Sequence, residues 1–214
     1  MVKVGSVGVA ALIAATFMGL PAYGATCVTA PVSTYTAPGF SCNVGPVTFS
    51  NINVSPTVSG GGSVTLGNFI PTTFGNEFGL ILNYTALAPN AGATADVLWT
   101  YNVAGSLLGD AFLQLTGNTT GSGQAQVSEN LSNGVTLSLS SPGTTTANFS
   151  PIAALFVTKD QIDFVGRDGG TSTTSALTNA FSVVPLPGTL ALFASGLAGL
   201  GLLSRRRKRN VAVA

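Results

Sequence analysis

Three aspartates beside a glycine-rich turn are the residues whose spacing comes closest to a metal site. Asp160, Asp163 and Asp168 lie in the segment 159–170, and their carboxylates supply the oxygen ligands that Ca²⁺ binds. The spacing differs from an EF-hand loop, in which ligands alternate before a glycine. The alternative is a charged strand–turn–strand in which Lys159 and Arg167 pair locally with these acids. We therefore predict no bound metal or other cofactor. If calcium does bind, these three aspartates are the candidate ligands.

Enzymatic chemistry finds little support in the residue types. Histidine is absent, which excludes Ser-His-Asp hydrolysis, Cys-His proteases and histidine-ligated zinc. Two carboxylates at a suitable separation can hydrolyse glycosides, but nothing in the sequence selects one pair among its seven acids. We expect no catalytic residues and a protein that is not an enzyme.

The two cysteines, Cys27 and Cys42, are expected to form a disulfide, because the charged and then apolar N-terminus is typical of an export signal, which delivers a chain to an oxidising compartment. A bond closing a loop of this length contributes about 3 kcal/mol in the chain-entropy model. The alternative is a reactive thiol, but no histidine and no lysine before Lys159 is present in the body to activate it.

The first 24 residues are typical of a secretory signal peptide. Lys3 supplies the positive start, an apolar run follows over 7–20, and the small residues Ala22 and Gly24 mark a cleavage site after Gly24. The alternative is a short buried helix or a membrane anchor. As an anchor, this run is too short to span a bilayer comfortably.

A second apolar stretch near the C-terminus predicts a transmembrane helix over 187–204. It is followed directly by five basic residues, Arg205, Arg206, Arg207, Lys208 and Arg209, which keep that end on the cytoplasmic side. A basic run alone can indicate nucleic-acid binding. The body holds two basic residues against seven acidic ones, so it cannot neutralise a run of phosphates, and we exclude nucleic acid as a partner.

The order of motif, apolar helix and basic terminus resembles the PEP-CTERM sorting signal of exported bacterial proteins. The motif is Val184-Pro185-Leu186-Pro187, in which Leu186 stands where the family usually has glutamate, and the resemblance covers 183–209. It implies recognition by exosortase, a membrane processing enzyme. Such tails are also catalogued as an "ice-binding protein C-terminal domain", a label that describes the tail alone. The body resembles an uncharacterised exported group through Cys42-Asn43-Val44-Gly45 and Val157-Thr158-Lys159-Asp160.

The body, residues 25–182, alternates apolar and polar residues between glycine, proline and asparagine turns. In one segment Val97, Trp99, Tyr101 and Val103 share a face. Repeated short strands of this kind predict an all-β fold, an antiparallel, jelly-roll-like β-sandwich between an N-terminal signal helix and a C-terminal transmembrane helix. The predicted core residues are Phe49, Phe78, Leu80, Leu82, Trp99, Tyr101, Phe112, Leu115, Leu137 and Phe156.

These features together predict an exported, non-enzymatic component of the cell surface or of an exopolysaccharide-rich biofilm matrix. Its precursor is held in the inner membrane by the C-terminal helix, and its expected partners are an exosortase-type enzyme and extracellular polysaccharide. One alternative is a carbohydrate-binding module, for which exposed rings at Tyr35, Phe40 or Tyr84 would stack on sugars. A calcium-dependent adhesin is the other.

Overall fold

The computed structural model describes residues 25–184, which form a curled and almost entirely antiparallel β-sheet. The predicted all-β class is confirmed. The strands are β1 (Ala25–Thr26), β2 (Ala30–Pro31), β3 (Ser41–Val44), β4 (Val47–Ser59), β5 (Ser63–Phe74), β6 (Glu77–Ala88), β7 (Thr94–Leu131), β8 (Thr136–Leu139) and β9 (Gly143–Ser182), with one short helix, α1 (Val32–Tyr35). Both predicted terminal helices lie outside the described residues.

The two longest strands, β7 and β9, bend and take part in both halves of the sheet. In the first half, residues 154–164 of β9 lie between residues 94–104 and 123–131 of β7. In the second half, residues 170–182 of β9 lie between β6 and residues 112–121 of β7. We call these parts the first and second halves; β3 and β4 extend the first, and β5 extends the second.

The two halves pack face to face in a sandwich-like arrangement. The ring of Phe69, from the second half, lies 5.2 Å from the ring of Trp99 in the first. The predicted face of Val97, Trp99, Tyr101 and Val103 is confirmed, because all four side chains are fully buried. Alternation along each strand thus buries one face of each half, as expected for a period of two.

The predicted core list is confirmed for most residues and wrong for two, Phe112 and Phe156. Phe78 is half-buried against the core. Phe112 is half-buried on the outer face, where its ring lies 5.9 Å from the exposed ring of Phe74, and its neighbours Ala111 and Leu113 point inward. Phe156 points outward instead, and 46% of its surface is exposed. Its neighbours Leu155 and Val157 take the inward positions. An apolar run fixes the strand but leaves open which alternate set faces the core.

Glycine allows the close packing of hairpins at one end of the sheet. Gly60 has φ +58°, and a Cβ built there would lie 2.2 Å from the carbonyl oxygen of Gly92. The turn between β4 and β5 therefore needs a residue without a side chain at this position.

The predicted disulfide is confirmed and attaches the N-terminal strand to the sheet. Cys27 and Cys42 are bonded with a Cα–Cα distance of 4.9 Å. The N–H of Cys27 also donates to the carbonyl of Asn43, at 2.9 Å. Both cysteines are buried, so the bond belongs to the core.

Replacing both cysteines, as Cys27→Ser with Cys42→Ser, should lower the free energy of unfolding by about 3 kcal/mol, because the loop between them is freed in the unfolded chain. For a domain of this size that is a fall in Tm of about 6–12 °C. Thermal melts followed by circular dichroism measure it. Reductant should bring the wild type to the Tm of the double variant and leave the variant unchanged. If the wild type and the double variant have the same Tm in the absence of reductant, the disulfide does not stabilise the fold.

Candidate functional site

The predicted sorting motif begins where the folded body ends. Val183 forms an antiparallel bridge with Leu108, and the N–H of Val184 donates to the carbonyl of Leu107 at 2.8 Å. Val184 is the one motif residue within the described range; Pro185, Leu186 and Pro187 lie outside it. The chain is thus held to the sheet up to the first residue of the motif.

The other terminal predictions also fall outside the described residues. These are the signal cleavage residues Ala22 and Gly24, the membrane helix over 187–204, and the basic run over 205–209. Within residues 25–184, no helix is both long and apolar enough to cross a membrane.

The three aspartates of the calcium candidate are not brought together. Asp160 is exposed on the outer face of the first half, and Asp168 is exposed further along β9. Asp163 is fully buried on the opposite face and accepts hydrogen bonds from Ser172 and Gln161. No group of three His, Cys, Asp or Glu side chains suited to a metal occurs in the described part of the chain.

A line of buried polar side chains joins the two halves, and the sequence analysis missed it. Ser172 donates to Asp163 across the gap. One step further along, Gln161 donates to Thr174 at 3.1 Å and accepts from the hydroxyl of Tyr84 at 2.8 Å. Each contact pairs the first half with the second.

The line ends at a cluster of three ionisable or amide side chains, which we call the Lys159 triad: Lys159, Glu129 and Asn179. Lys159 and Glu129 form an ion pair in which both side chains are completely buried. Asn179 Nδ2 donates to the same oxygen, Glu129 Oε2, at 3.3 Å. The hydroxyl of Tyr101 donates to Asn179 Oδ1. The Nζ atom of Lys159 lies 5.7 Å from the centre of the Trp99 ring.

Adjacent strands place these side chains side by side. In the first half, Lys159 lies directly opposite both Trp99 and Glu129. Asn179 comes from the second half, where it lies opposite Leu80 and Leu113. The triad therefore sits between the two halves, inside the core.

Burial shifts the pKa values of Lys159 and of the neighbouring Tyr101. It lowers the pKa of Lys159, because the ammonium loses its water, while the carboxylate of Glu129 partly opposes that shift. Burial also raises the pKa of Tyr101 well above its usual value, and the nearby Glu129 charge adds to the shift. The phenol therefore keeps its proton and remains a donor to Asn179.

A pair of acidic side chains lies on the outer face of the first half. Asp96 and Asp160 come from neighbouring strands in diagonal register. Partial burial, followed by the charge and the hydrogen bond of Asp160, raises the pKa of Asp96 to about 6.

The aromatic residues suggested for sugar stacking are not exposed. Tyr35 and Tyr84 are buried, and Phe40 is half-buried against Tyr35 at a centroid distance of 4.7 Å. The exposed rings in the described range are instead Phe74 and Phe156, at 47% and 46%.

A shallow cleft of about 350 Å³ lies beside α1. Its walls include Pro31, Ser33, Val54 and Leu66, and no charged side chain lines it. The cleft therefore offers surface for contact but no group for acid–base chemistry.

The end of the chain matches a known family model. Residues 183–208 match the model of the PEP-CTERM protein-sorting motif. No curated protein shows significant similarity to the chain.

Several solved structures share a distant likeness with the body. The family 11 carbohydrate-binding module of the cellulase Lic26A-Cel5E of Clostridium thermocellum is 11% identical, with a TM-score of 0.27 over 63% of this chain and 90% of that one. The enzymatically active domain of tailspike protein 4 from bacteriophage CBA120 is 17% identical, with a TM-score of 0.29 over 60% and 19%. The CBM36-1 domain of a xylanase from the hindgut metagenome of Trinervitermes trinervoides is 13% identical, with a TM-score of 0.21 over 63% and 100%. Sequence identities and TM-scores this low give no information about a ligand of this chain.

The acidic pair on the outer face should make stability fall as pH rises. The folded protein holds a proton on Asp96 up to about pH 6, whereas the unfolded chain releases it near pH 3.8. The stabilisation that this proton contributes is fully present below about pH 3.8 and is lost as the pH rises to about 6. Asp96→Asn should weaken the dependence, as measured by urea midpoints from pH 4 to 7, and the remainder comes from Glu77 and Asp163, whose pKa values burial also raises. Asp168→Asn, which changes an exposed carboxylate of β9, is the control, and identical slopes for Asp96→Asn and wild type would contradict the assignment.

Proposed function

We propose that this chain, which carries a PEP-CTERM protein-sorting motif at residues 183–208, is the precursor of a non-enzymatic cell-surface or extracellular-matrix protein. The motif carries the proposal, because this signal marks a protein that is exported and then processed by exosortase. The precursor is anchored in the inner membrane by the predicted C-terminal helix, and processing delivers the body outward.

The body suits an extracellular location. The disulfide between Cys27 and Cys42 forms and persists in an oxidising compartment. Charge is sparse, at 7% of residues, and Arg167 is the one exposed cation among the described residues. Serine, threonine and asparagine supply most of the outer polarity, which suits solvation within an uncharged or anionic polysaccharide gel.

The site of recognition follows directly after the folded body. Val184 is still hydrogen-bonded to the sheet, and prolines follow at Pro185 and Pro187. Each proline fixes φ and biases the preceding residue away from helix, which favours an extended segment. An extended backbone is what a processing enzyme binds in its cleft.

We also infer a jelly-roll-like sandwich for the body, supported by its two facing halves.

Replacing both motif prolines, as Pro185→Ala with Pro187→Ala, should trap the precursor in the inner membrane, because the segment loses its extended bias. Cell fractionation and immunoblotting of the producing bacterium measure the ratio of membrane-bound precursor to released protein.

The matched control replaces two turn prolines of the body, as Pro89→Ala with Pro142→Ala. This control should be processed like the wild type. Unchanged release of the motif variant would overturn the sorting proposal.

Carbohydrate binding is the alternative function, and one observation favours keeping it. Phe156 presents an exposed ring on the outer face of the first half, opposite Asn102. An apolar ring beside an amide is a combination that can contact a sugar face and its hydroxyl groups.

A pull-down on the insoluble polysaccharide of the producing cells separates the two functions. Under the carbohydrate-binding alternative, the wild type is retained and Phe156→Ala elutes with the unbound fraction. Phe74→Ala, which removes an equally exposed ring elsewhere, should be retained. If all three proteins appear in the unbound fraction, the alternative fails and the matrix proposal stands; if all three are retained, Phe156 is not the contact.

A further inference from the structure

The Lys159 triad combines an amine, a carboxamide and a carboxyl group in a site closed to water. The side chains of Lys159 and Glu129 and the residue Asn179 each have no exposed surface. Lysine and glutamate are seldom fully buried, and a buried pair commonly costs free energy rather than contributing it. Ion pairing alone is therefore expected to give little net stabilisation of the contact between the two halves.

The geometry sets the amine beside the carboxamide. Lys159 Nζ and Asn179 Nδ2 both donate to Glu129 Oε2, so the two nitrogens lie within two hydrogen-bond lengths of each other. Asn179 is fixed further because its Nδ2 donates to the carbonyl of Phe112 at 2.7 Å. Holding reactants at such separations replaces a collision between molecules with a unimolecular step.

The surroundings activate both reacting groups. Burial lowers the pKa of Lys159 and so favours the neutral amine, which is the nucleophilic form. The hydroxyl of Tyr101 donates to Asn179 Oδ1, where negative charge develops when a nucleophile attacks the amide carbon. Glu129 touches both nitrogens and can move protons between them. Its other oxygen, Oε1, is buried and has no hydrogen-bond partner among the described residues.

We propose that Lys159 and Asn179 join spontaneously through an isopeptide bond that covalently links the two halves of the sheet. First, a proton passes from Lys159 Nζ to Glu129, giving a free amine and a neutral acid. The amine attacks Asn179 Cγ, and a bond forms between Nζ and Cγ. Glu129 gives its proton to Nδ2 and takes the second proton from Nζ. The Cγ–Nδ2 bond then breaks and ammonia leaves. Nothing is oxidised or reduced, and no co-reactant is needed.

The inference goes beyond the proposed sorting function, because the bond forms inside the body and needs no processing enzyme. Glu129 is the catalytic residue, since it contacts both reacting nitrogens, and Tyr101 stabilises the developing charge. The reaction occurs once per molecule, after folding has brought the second half onto the first.

A protease that cleaves after arginine tests the bond in the purified full chain. Arg167 is exposed and separates Lys159 from Asn179 in the sequence. After reduction, denaturation and cleavage, the pieces on either side of Arg167 should remain joined on a denaturing gel. Their joint mass should fall short of the two peptide masses by one ammonia. Separate pieces with unmodified masses from the wild type would overturn the proposal, whatever any variant does.

Substitutions identify the chemistry. Glu129→Gln should abolish the joined species, because it removes the proton carrier while keeping the shape of the side chain. Glu77→Gln, which changes an acid outside the triad in the same way, should leave the joined species intact. If Glu129→Gln fails to fold, Asn179→Asp provides a second measurement, because the linked product then loses water in place of ammonia. An unchanged ammonia loss in that variant would show that another residue is the electrophile.

Discussion

The line of buried polar contacts between the two halves is the constraint on which the rest of the structure depends. An isolated buried charge costs several kcal/mol, so Lys159 must meet Glu129, and Asp163 must meet Ser172 and Gln161. Apolar packing would tolerate sliding of one half over the other, whereas a displaced hydrogen bond leaves a polar atom unsatisfied. The polar contacts therefore fix a single alignment of residues 154–164 against residues 170–182.

This alignment couples the two halves through one strand. The two segments belong to the same strand, β9, and each lies between two neighbours in its own half. Removing one partner of the Lys159–Glu129 pair leaves an uncompensated charge in the core, which costs about 3–5 kcal/mol. Trp99, Tyr101 and Phe69 pack around the same point, so the aromatic core and the polar line share their neighbours.

The sequence predicted the local features and missed the long-range ones. Alternation at Val97, Trp99, Tyr101 and Val103 indicated a strand with one buried face, and the two cysteines had no other plausible partner. The region around Lys159 was predicted as a charged strand–turn–strand in which Lys159 and Arg167 pair with nearby acids. In the structure its partner, Glu129, comes from a strand 30 residues earlier. A period of two shows which residues share a face but not which face is inside, and that depends on strands brought together only by folding.

The placement of β9 also determines how the body responds to mechanical load. Its last segment, residues 170–182, is hydrogen-bonded on both sides, to β6 and to β7. Antiparallel hydrogen bonds run perpendicular to the strands, so a pull along the strand from residue 184 strains the bonds of both ladders together. An edge strand pulled away sideways would lose its bonds one after another. A chain loaded through its C-terminal end is therefore held in shear, the direction in which a β-sheet resists force most strongly.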